Sequence, residues 1–304
     1  MPNSDRVVRE GLIAALIAYL LWGVMPIYFK IVASVDPFEV FSHRILWAIP
    51  FGALIIAFRS QWQEVRNTLS DPKTLGWLAA SSLVIGVNWL VYIFAIQANQ
   101  IFEASLGYYV NPLLNMVFGV VLFGERLRRL QVVAVASAFI GVMVLTIKGG
   151  QVPWVSLAVA FTFCTYGIIR KRVNIGGMPG LFVETMLLAP FAVVCFALIS
   201  ANGQIAFASG DISLNFWLVL AGPLTALPLL FFALAARRLA LTTIGFMQFL
   251  APSMAFVIGI YYGEPFTTAH LICFGFIWLA VVFFITDAVM SAKKRPLREN
   301  LSGA

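Results

Sequence analysis

The sequence predicts an all-α membrane protein of ten transmembrane helices, built as two inverted five-helix repeats. Three observations predict it. Of the 304 residues, 61% are hydrophobic and only 11% charged, where a soluble domain carries about a quarter. The apolar residues fall into ten continuous runs of bilayer-crossing length. A pattern in the first half of the chain returns in the second, 138 to 144 residues later.

A helix needs about 20 apolar residues to cross about 30 Å of hydrocarbon. The first run, 11–31, has 19 uncharged residues from Gly11 to Phe29. It is longer than a signal-peptide core and no A-x-A site follows, so it reads as a retained helix. Tyr19, Trp22, Pro26 and Lys30 recur along it at spacings of three and four. The second run, 39–58, contains FSHRILWAIPF. From Ile45 to Phe58 there are 14 residues, about 21 Å at 1.5 Å each. That is too short to span, so the helix must carry His43 and Arg44 into the membrane, with Trp47 deeper. The third, 75–97, holds Asn88, Trp89 and Tyr92.

In the fourth run, 103–123, Glu103, Gly107, Asn111, Asn115 and Gly119 recur every four residues. Each step drifts about 40° around a helix, so the stripe stays mostly on one side. Pro112 frees a backbone carbonyl near mid-membrane. The stripe suits a wet cavity wall, or alternatively a helix contact bound by Asn and Gly. Gly124-Glu125 ends it, and Gly263-Glu264 ends the ninth run in the same way. Both pairs read as architecture, with glycine closing the helix in a left-handed turn. The remaining runs are 130–148, 153–169 with Tyr166, 180–199 with Glu184, 214–235, 242–262 with Gln248 and Pro252, and 269–289. All ten are continuously apolar rather than alternating, which selects helices over barrel strands.

Counting Lys and Arg in the connections gives the orientation. Seventeen lie on the side that holds both termini, and Lys30 and Lys148 lie on the other; Arg44 is inside a span. Both termini are therefore expected in the cytoplasm. LGYYVNPLLNMVFGVVLFGE (106–125) matches IGFMQFLAPSMAFVIGIYYGE (244–264), AIPF (48–51) matches LAPF (188–191), and Trp22-Gly23 matches Tyr166-Gly167. Repeats 1–148 and 149–304 then hold five spans each. Five is odd, so the second repeat must insert upside down, as in many secondary transporters.

Several functions are excluded. The net charge of +7 is scattered in twos and threes, without the basic stripe and interleaved aromatics of a nucleic-acid surface. There is no P-loop, no H-E-x-x-H and no G-x-S-x-G. Cys164, Cys195 and Cys273 stand at no metal-ligand spacing and read as small buried hydrophobes. No cofactor is expected.

The motifs AYLLWGVMPIYFK (18–30), HRILW (43–47), NWLVYIFAIQ (88–97), EASLGYYVNPLLN (103–115), FGERLRRLQ (123–131), YGIIRK (166–171) and GFMQFLAPS (245–253) span nearly the whole chain in order. In these the sequence resembles the RarD family of chloramphenicol-sensitivity permeases, in the EamA-type branch of the drug/metabolite transporter superfamily. The resemblance implies a bacterial inner-membrane carrier that exports small organic solutes, metabolites or drugs such as chloramphenicol. It also implies a central cavity lined by helices 1–4 and 6–9. Small four-helix relatives carry a glutamate in their first helix; none stands between Gly11 and Lys30 here, so proton coupling through that position has no support. The partners expected are a small organic solute and the lipid bilayer, and a monomer suffices to form the inverted pair.

The residues assigned to a solute pathway are Trp22, Lys30, His43, Arg44, Trp47, Asn88, Trp89, Tyr92, Glu103, Tyr108, Asn111, Asn115, Tyr166, Glu184 and Gln248. At offset 140, Arg44 falls on Glu184, and inversion puts the two at opposite mouths. Two alternatives stand beside this reading. Arg44 could snorkel outward and pair with Glu39 or Glu103. Asp36, Glu39, His43, Arg44 and Glu103 could form the interfacial cluster of an enzyme acting on a lipid-linked substrate.

Overall fold

The computed structural model describes residues 2–124, 126–239 and 241–302, and among them every regular element is a helix. In chain order the helices are α1 (Pro2–Gly23), α2 (Met25–Ile31), α3 (Pro37–Phe58), α4 (Trp62–Leu69), α5 (Pro72–Gln97), α6 (Ile101–Phe123) and α7 (Arg129–Gly149). There follow α8 (Trp154–Lys171), α9 (Gly177–Ala201), α10 (Ile212–Ala236), α11 (Leu241–Met247), α12 (Leu250–Tyr261) and α13 (Thr268–Ser302).

Nine spans among the described residues are long and apolar enough to cross a membrane. They coincide with nine of the ten expected runs. The tenth, 153–169, is the helix α8, which is not among the nine. Ser156, Thr162, Thr165 and the terminal Arg170 and Lys171 lower its mean hydropathy. It nevertheless packs against α5 and α6 in the body of the bundle.

Two expected helices are interrupted. The first breaks at Val24, where Pro26 lacks the N–H that would bond Trp22. The ninth breaks around Gln248 and Phe249, and Pro252 removes the same donor there. The connection after α3, read as a loop, contains α4; it buries Val65 and Thr68 and packs against α5 and α9. Helix ends follow local chemistry. Asp36, Asp71 and Asp211 accept backbone N–H groups at the starts of α3, α5 and α10. Those hydrogen bonds, with one from the Thr74 hydroxyl first among them, hold the Asp71 carboxyl below its usual range. Gly124 and Gly263 adopt the left-handed conformation, φ +66° and +68°, as expected; Glu125 lies outside the described residues.

The packing partners form a closed pattern. Helix α3 lies on α9 and on α10, α1 on α10 and α12, α5 on α8 and α9, α6 on α8 and α12, and α7 on α13. One apolar core joins α2, α3 and α5 to α9 and α10 through Phe29, Phe41, Ile45, Ile93, Leu188 and Leu218. A second lies where α6 meets α7 and α13, around Phe102, Phe274 and Ile277. Large apolar side chains such as Leu83, Val121, Phe139 and Ile147 point outward, a surface suited to lipid rather than water. Cys164 and Cys273 are buried as expected, and Cys195 is half-buried.

The backbones of two helices meet at Gly222 of α10, where a Cβ would sit 2.3 Å from the carbonyl carbon of Trp47 in α3. Backbone, not a flexible side chain, blocks the space. Gly222→Val should therefore destabilise the protein by about 1–3 kcal/mol or more, read as a lower melting temperature in detergent. Gly275→Ala, with open space around it, should leave the melting temperature unchanged or raise it.

Candidate functional site

Helix α3 starts at Pro37 and carries Arg44 about 10 Å inward at 1.5 Å per residue. The Arg44 side chain is 8% exposed. Its Nε donates to Thr225 Oγ1 of α10 at 3.0 Å. Its guanidinium lies 4.3 Å from the Trp89 ring centroid and 5.8 Å from that of Phe29. No carboxylate pairs with it among the described residues. The alternative of an arginine snorkelling to Glu39 or Glu103 is thereby overturned. Glu39 is fully buried and accepts the backbone N–H groups of Ala206 and Phe207. Glu103 accepts from the Ser156 hydroxyl, 4.0 Å from His270. Asp36 is occupied as a helix cap. Of the cluster that an interfacial enzyme would need, only Glu39 and His43 stay together, 3.8 Å apart; Asp36, Arg44 and Glu103 are each bonded elsewhere.

Arg44 lines a cavity of about 580 Å³. Trp89, Tyr92 and Tyr108 surround the same end of it; the last two rings lie 5.6 Å apart. Trp22, Asn111, Tyr166 and Gln248 stand along its walls. At the other end are Arg59 and Gln61 after α3, Gly176 after α8, and Arg237 after α10. The cavity therefore opens on the face that carries those three connections. None of the connections on the opposite face, at 32–36, 98–100, 150–153, 202–211 and 262–267, contributes to its lining.

Seven assigned residues lie outside this cavity. Asn88 is fully buried behind it, donating to Val159 O and Thr162 Oγ1 and accepting from Tyr108 Oη, which fixes that tyrosine. Glu184, also fully buried, accepts from Ser81 and Tyr166 and lies 3.8 Å from Arg170 Nε. It thus holds two groups that do line the cavity. The polar stripe of α6 divides: Asn111 faces the main cavity, while Asn115 bonds Asn111 and faces a separate cavity with Lys73, Trp77 and Lys171. His43 is enclosed by Phe196 and Phe207, its Nδ1 accepting from Trp47 Nε1 at 3.1 Å. Lys30 donates to Asn99, and Glu103 meets Ser156, both on the closed face.

Sequence reasoning missed Thr225, Arg59, Arg170 and Arg237. The arginines were visible only as loop charge. Thr225 had one signal, its offset of 144 from Ser81. Also missed was the role of Glu264. It accepts the Phe102 N–H at 3.1 Å, tying the end of α12 to the start of α6. Gly259 makes room: a Cβ there would lie 2.9 Å from the Phe102 ring. Burial raises the Glu264 carboxyl to about 7, against the lowering pull of the Phe102 and Ile101 N–H groups and Lys30; Glu103 adds to the rise.

Comparison with known proteins follows the same lines. The EamA-like transporter family matches residues 9–147. An uncharacterized transporter of Vibrio cholerae is 41% identical over 95% of this chain and 96% of its own length. Protein RarD of Escherichia coli K12 is 37% identical over 94% of this chain and 97% of its own. A solved crystal structure with 19% identity superimposes with a TM-score of 0.62, covering 92% of this chain and 98% of the other. That last likeness concerns the fold alone.

A raised carboxyl makes the closed face pH-sensitive. The protonated form tolerates burial, so closure through Glu264 is fully stabilised below the ordinary 4.5 and loses that stabilisation as pH rises through about 7. Amide hydrogen exchange at Phe102, corrected for intrinsic exchange chemistry, should show protection falling across neutral pH. Glu264→Gln should make that protection independent of pH.

Proposed function

The chain belongs to the EamA-like transporter family, among its RarD proteins, and from that premise we propose that it is a secondary transporter working by alternating access. Its cargo is a small organic solute, a metabolite or a drug such as chloramphenicol. It acts in a bacterial inner membrane with both termini in the cytoplasm, and export is the direction that the family resemblance implies. One observation carries the reading: a solute-sized cavity that opens on a single face of the bundle. A channel would be open at both ends, and a scaffold needs no cavity at all.

The two-repeat architecture is part of the proposal. Take α1 with α2 as the first span and α11 with α12 as the ninth. Exchanging each span of 1–148 with its counterpart in 149–304 then returns the packing pattern to itself: α1–α10 becomes α8–α5, α3–α10 becomes α9–α5, and α6–α8 becomes α12–α1. Polar contacts follow the same exchange. Arg44 bonds Thr225, and its counterpart Glu184 accepts from Ser81. Glu39 near the start of α3 receives N–H groups from the connection after α9, while Gly176 before α9 gives its N–H to Glu64 after α3. These recurrences support two inverted units of five spans that can rock about a shared site.

Positive charge collects on the cytoplasmic side of a membrane, and Arg59, Arg170 and Arg237 surround the cavity mouth. The structure is therefore read as the inward-open state. Its far face is closed by bonds between the repeats, including Glu39 to Ala206 and Phe207, Glu264 to Phe102, and Tyr28 to the Trp217 carbonyl.

Two experiments test this. Alkaline phosphatase fused after Ala304 should be inactive, because a cytoplasmic C-terminus keeps it from the periplasm; an active fusion overturns the orientation. A cysteine at Trp89, in a background with the three native cysteines replaced, should react with a membrane-impermeant thiol reagent added to either side in turn. Labelling from the cytoplasmic side alone, under every solute gradient, would rule out alternating access.

A further inference from the structure

Arg44 is the one cation at the inner end of the cavity, and the fold leaves part of it unanswered. The Trp89 and Phe29 ring centroids lie 4.3 Å and 5.8 Å from its guanidinium carbon, and its Nε is used by Thr225. Neither Nη has a protein partner among the described residues. An intramembrane cation without a counter-charge is costly, and such groups mark solute and ion pathways. The rest of the cavity does not compensate. Among its described lining residues there are four arginines and no aspartate or glutamate. Arg170 is answered by Glu184 from behind the wall; Arg59 and Arg237 stand at the mouth. A low-dielectric cavity with charges of one sign focuses its field and draws in the opposite sign. The remaining surface around Arg44 is aromatic, formed by Trp89, Tyr92 and Tyr108, with the two tyrosine rings set at 65° to each other.

We propose that the cavity receives an organic anion with a flat apolar body, its acidic group on the two Nη of Arg44 and its body against Trp89, Tyr92 and Tyr108. The assignment rests on the carrier reading above and narrows its cargo to acidic solutes, which excludes a neutral drug such as chloramphenicol. The open Nη pair matches the two oxygens of a carboxylate, or of a sulfonate, in a bidentate fork. A cation would meet arginines at both ends of its path. A neutral isostere would leave Arg44 as unpaired as before. A zwitterion would bring an ammonium group for which the described lining holds no carboxylate.

The test is a matched charge series on the purified full chain: benzoate, 2-naphthoate and indole-3-acetate, each beside its neutral amide and its cationic amine. A ligand that binds only the folded state raises the melting temperature in proportion to its occupancy. At least one of the anions should raise it, with its amide and amine needing at least ten times the concentration for the same shift. Arg44→Gln should remove the preference, so that acid and amide act alike. Arg44→Lys, which keeps the charge and loses the fork, should fall between. If Arg44→Gln does not accumulate, the wild-type series still decides. The proposal is overturned when an amide or amine matches its anion, or when none of the three anions acts at millimolar concentration. Counterflow of the same probes in proteoliposomes separates the two claims. Charge-selective binding without counterflow leaves the anion site standing and removes the carrier; counterflow of the amide but not the acid does the reverse.

Discussion

A guanidinium held inside an apolar bundle is the constraint around which this protein is arranged. Arg44 cannot lose its proton at any ordinary pH, so the fold must answer the charge. It does so without a counter-ion among the described residues. Trp89 offers a π face at 4.3 Å and Thr225 a hydroxyl at 3.0 Å; the aromatic contact is worth about 2 kcal/mol when desolvated. Those two partners come from α5 and α10, helices that both pack against the α3 that carries the arginine. Placing Arg44 therefore fixes three helices at once. The cavity is the space left where they meet α1, α2, α6, α8, α9 and α12.

Much of this was legible in the sequence, because hydrocarbon imposes a simple rule. Every backbone polar group must be satisfied within its own helix, so apolar length alone located nine spans. The rule weakens where tertiary contacts take over. Helix α8 was predicted as a span from its apolar stretch, yet Ser156 and Thr162 are there to bond Glu103 and Asn88 on neighbouring helices. Those bonds are invisible to hydropathy. Helix α4 was missed because a short amphipathic segment is stable only against the α5 and α9 surfaces it covers.

The depth of Arg44 could be read from the 14 residues after it, but its partner could not. Thr225 is 181 residues away, and a single hydroxyl in an apolar helix carries no distinguishing pattern. The nearby carboxylates misled for a related reason. Glu39 lies five positions before Arg44, close along the axis but about 140° around the helix, and its i,i+4 neighbour is His43. Its two oxygens are instead taken by N–H groups of the connection after α9. A buried carboxylate bonded to backbone N–H groups is already stabilised in its charged form, and it has no need of a cation. Proximity in sequence indicates a pair only when neither member has a better partner elsewhere in the fold.

Under the alternating access proposed above, the same bonds define what a change of state must break. Glu39 is fully buried, so releasing Ala206 and Phe207 would leave a charge and two N–H groups without partners unless water enters as they part. Opening of the far face is thus coupled to its hydration, as is expected of a gate in an apolar medium. Glu264 differs, because its carboxyl can take up a proton near neutrality. Protonation removes the charge that burial penalises, so this contact adjusts with the acidity of the bathing medium, whereas Glu39 is fully enclosed with both oxygens on backbone N–H groups. With Arg44 unanswered on the cavity side, a solute that neutralises it lowers the cost of losing water from the cavity. In the proposed alternating-access cycle, loading the site and changing the open face then act on one shared free energy, which is what a carrier requires in order not to cycle empty.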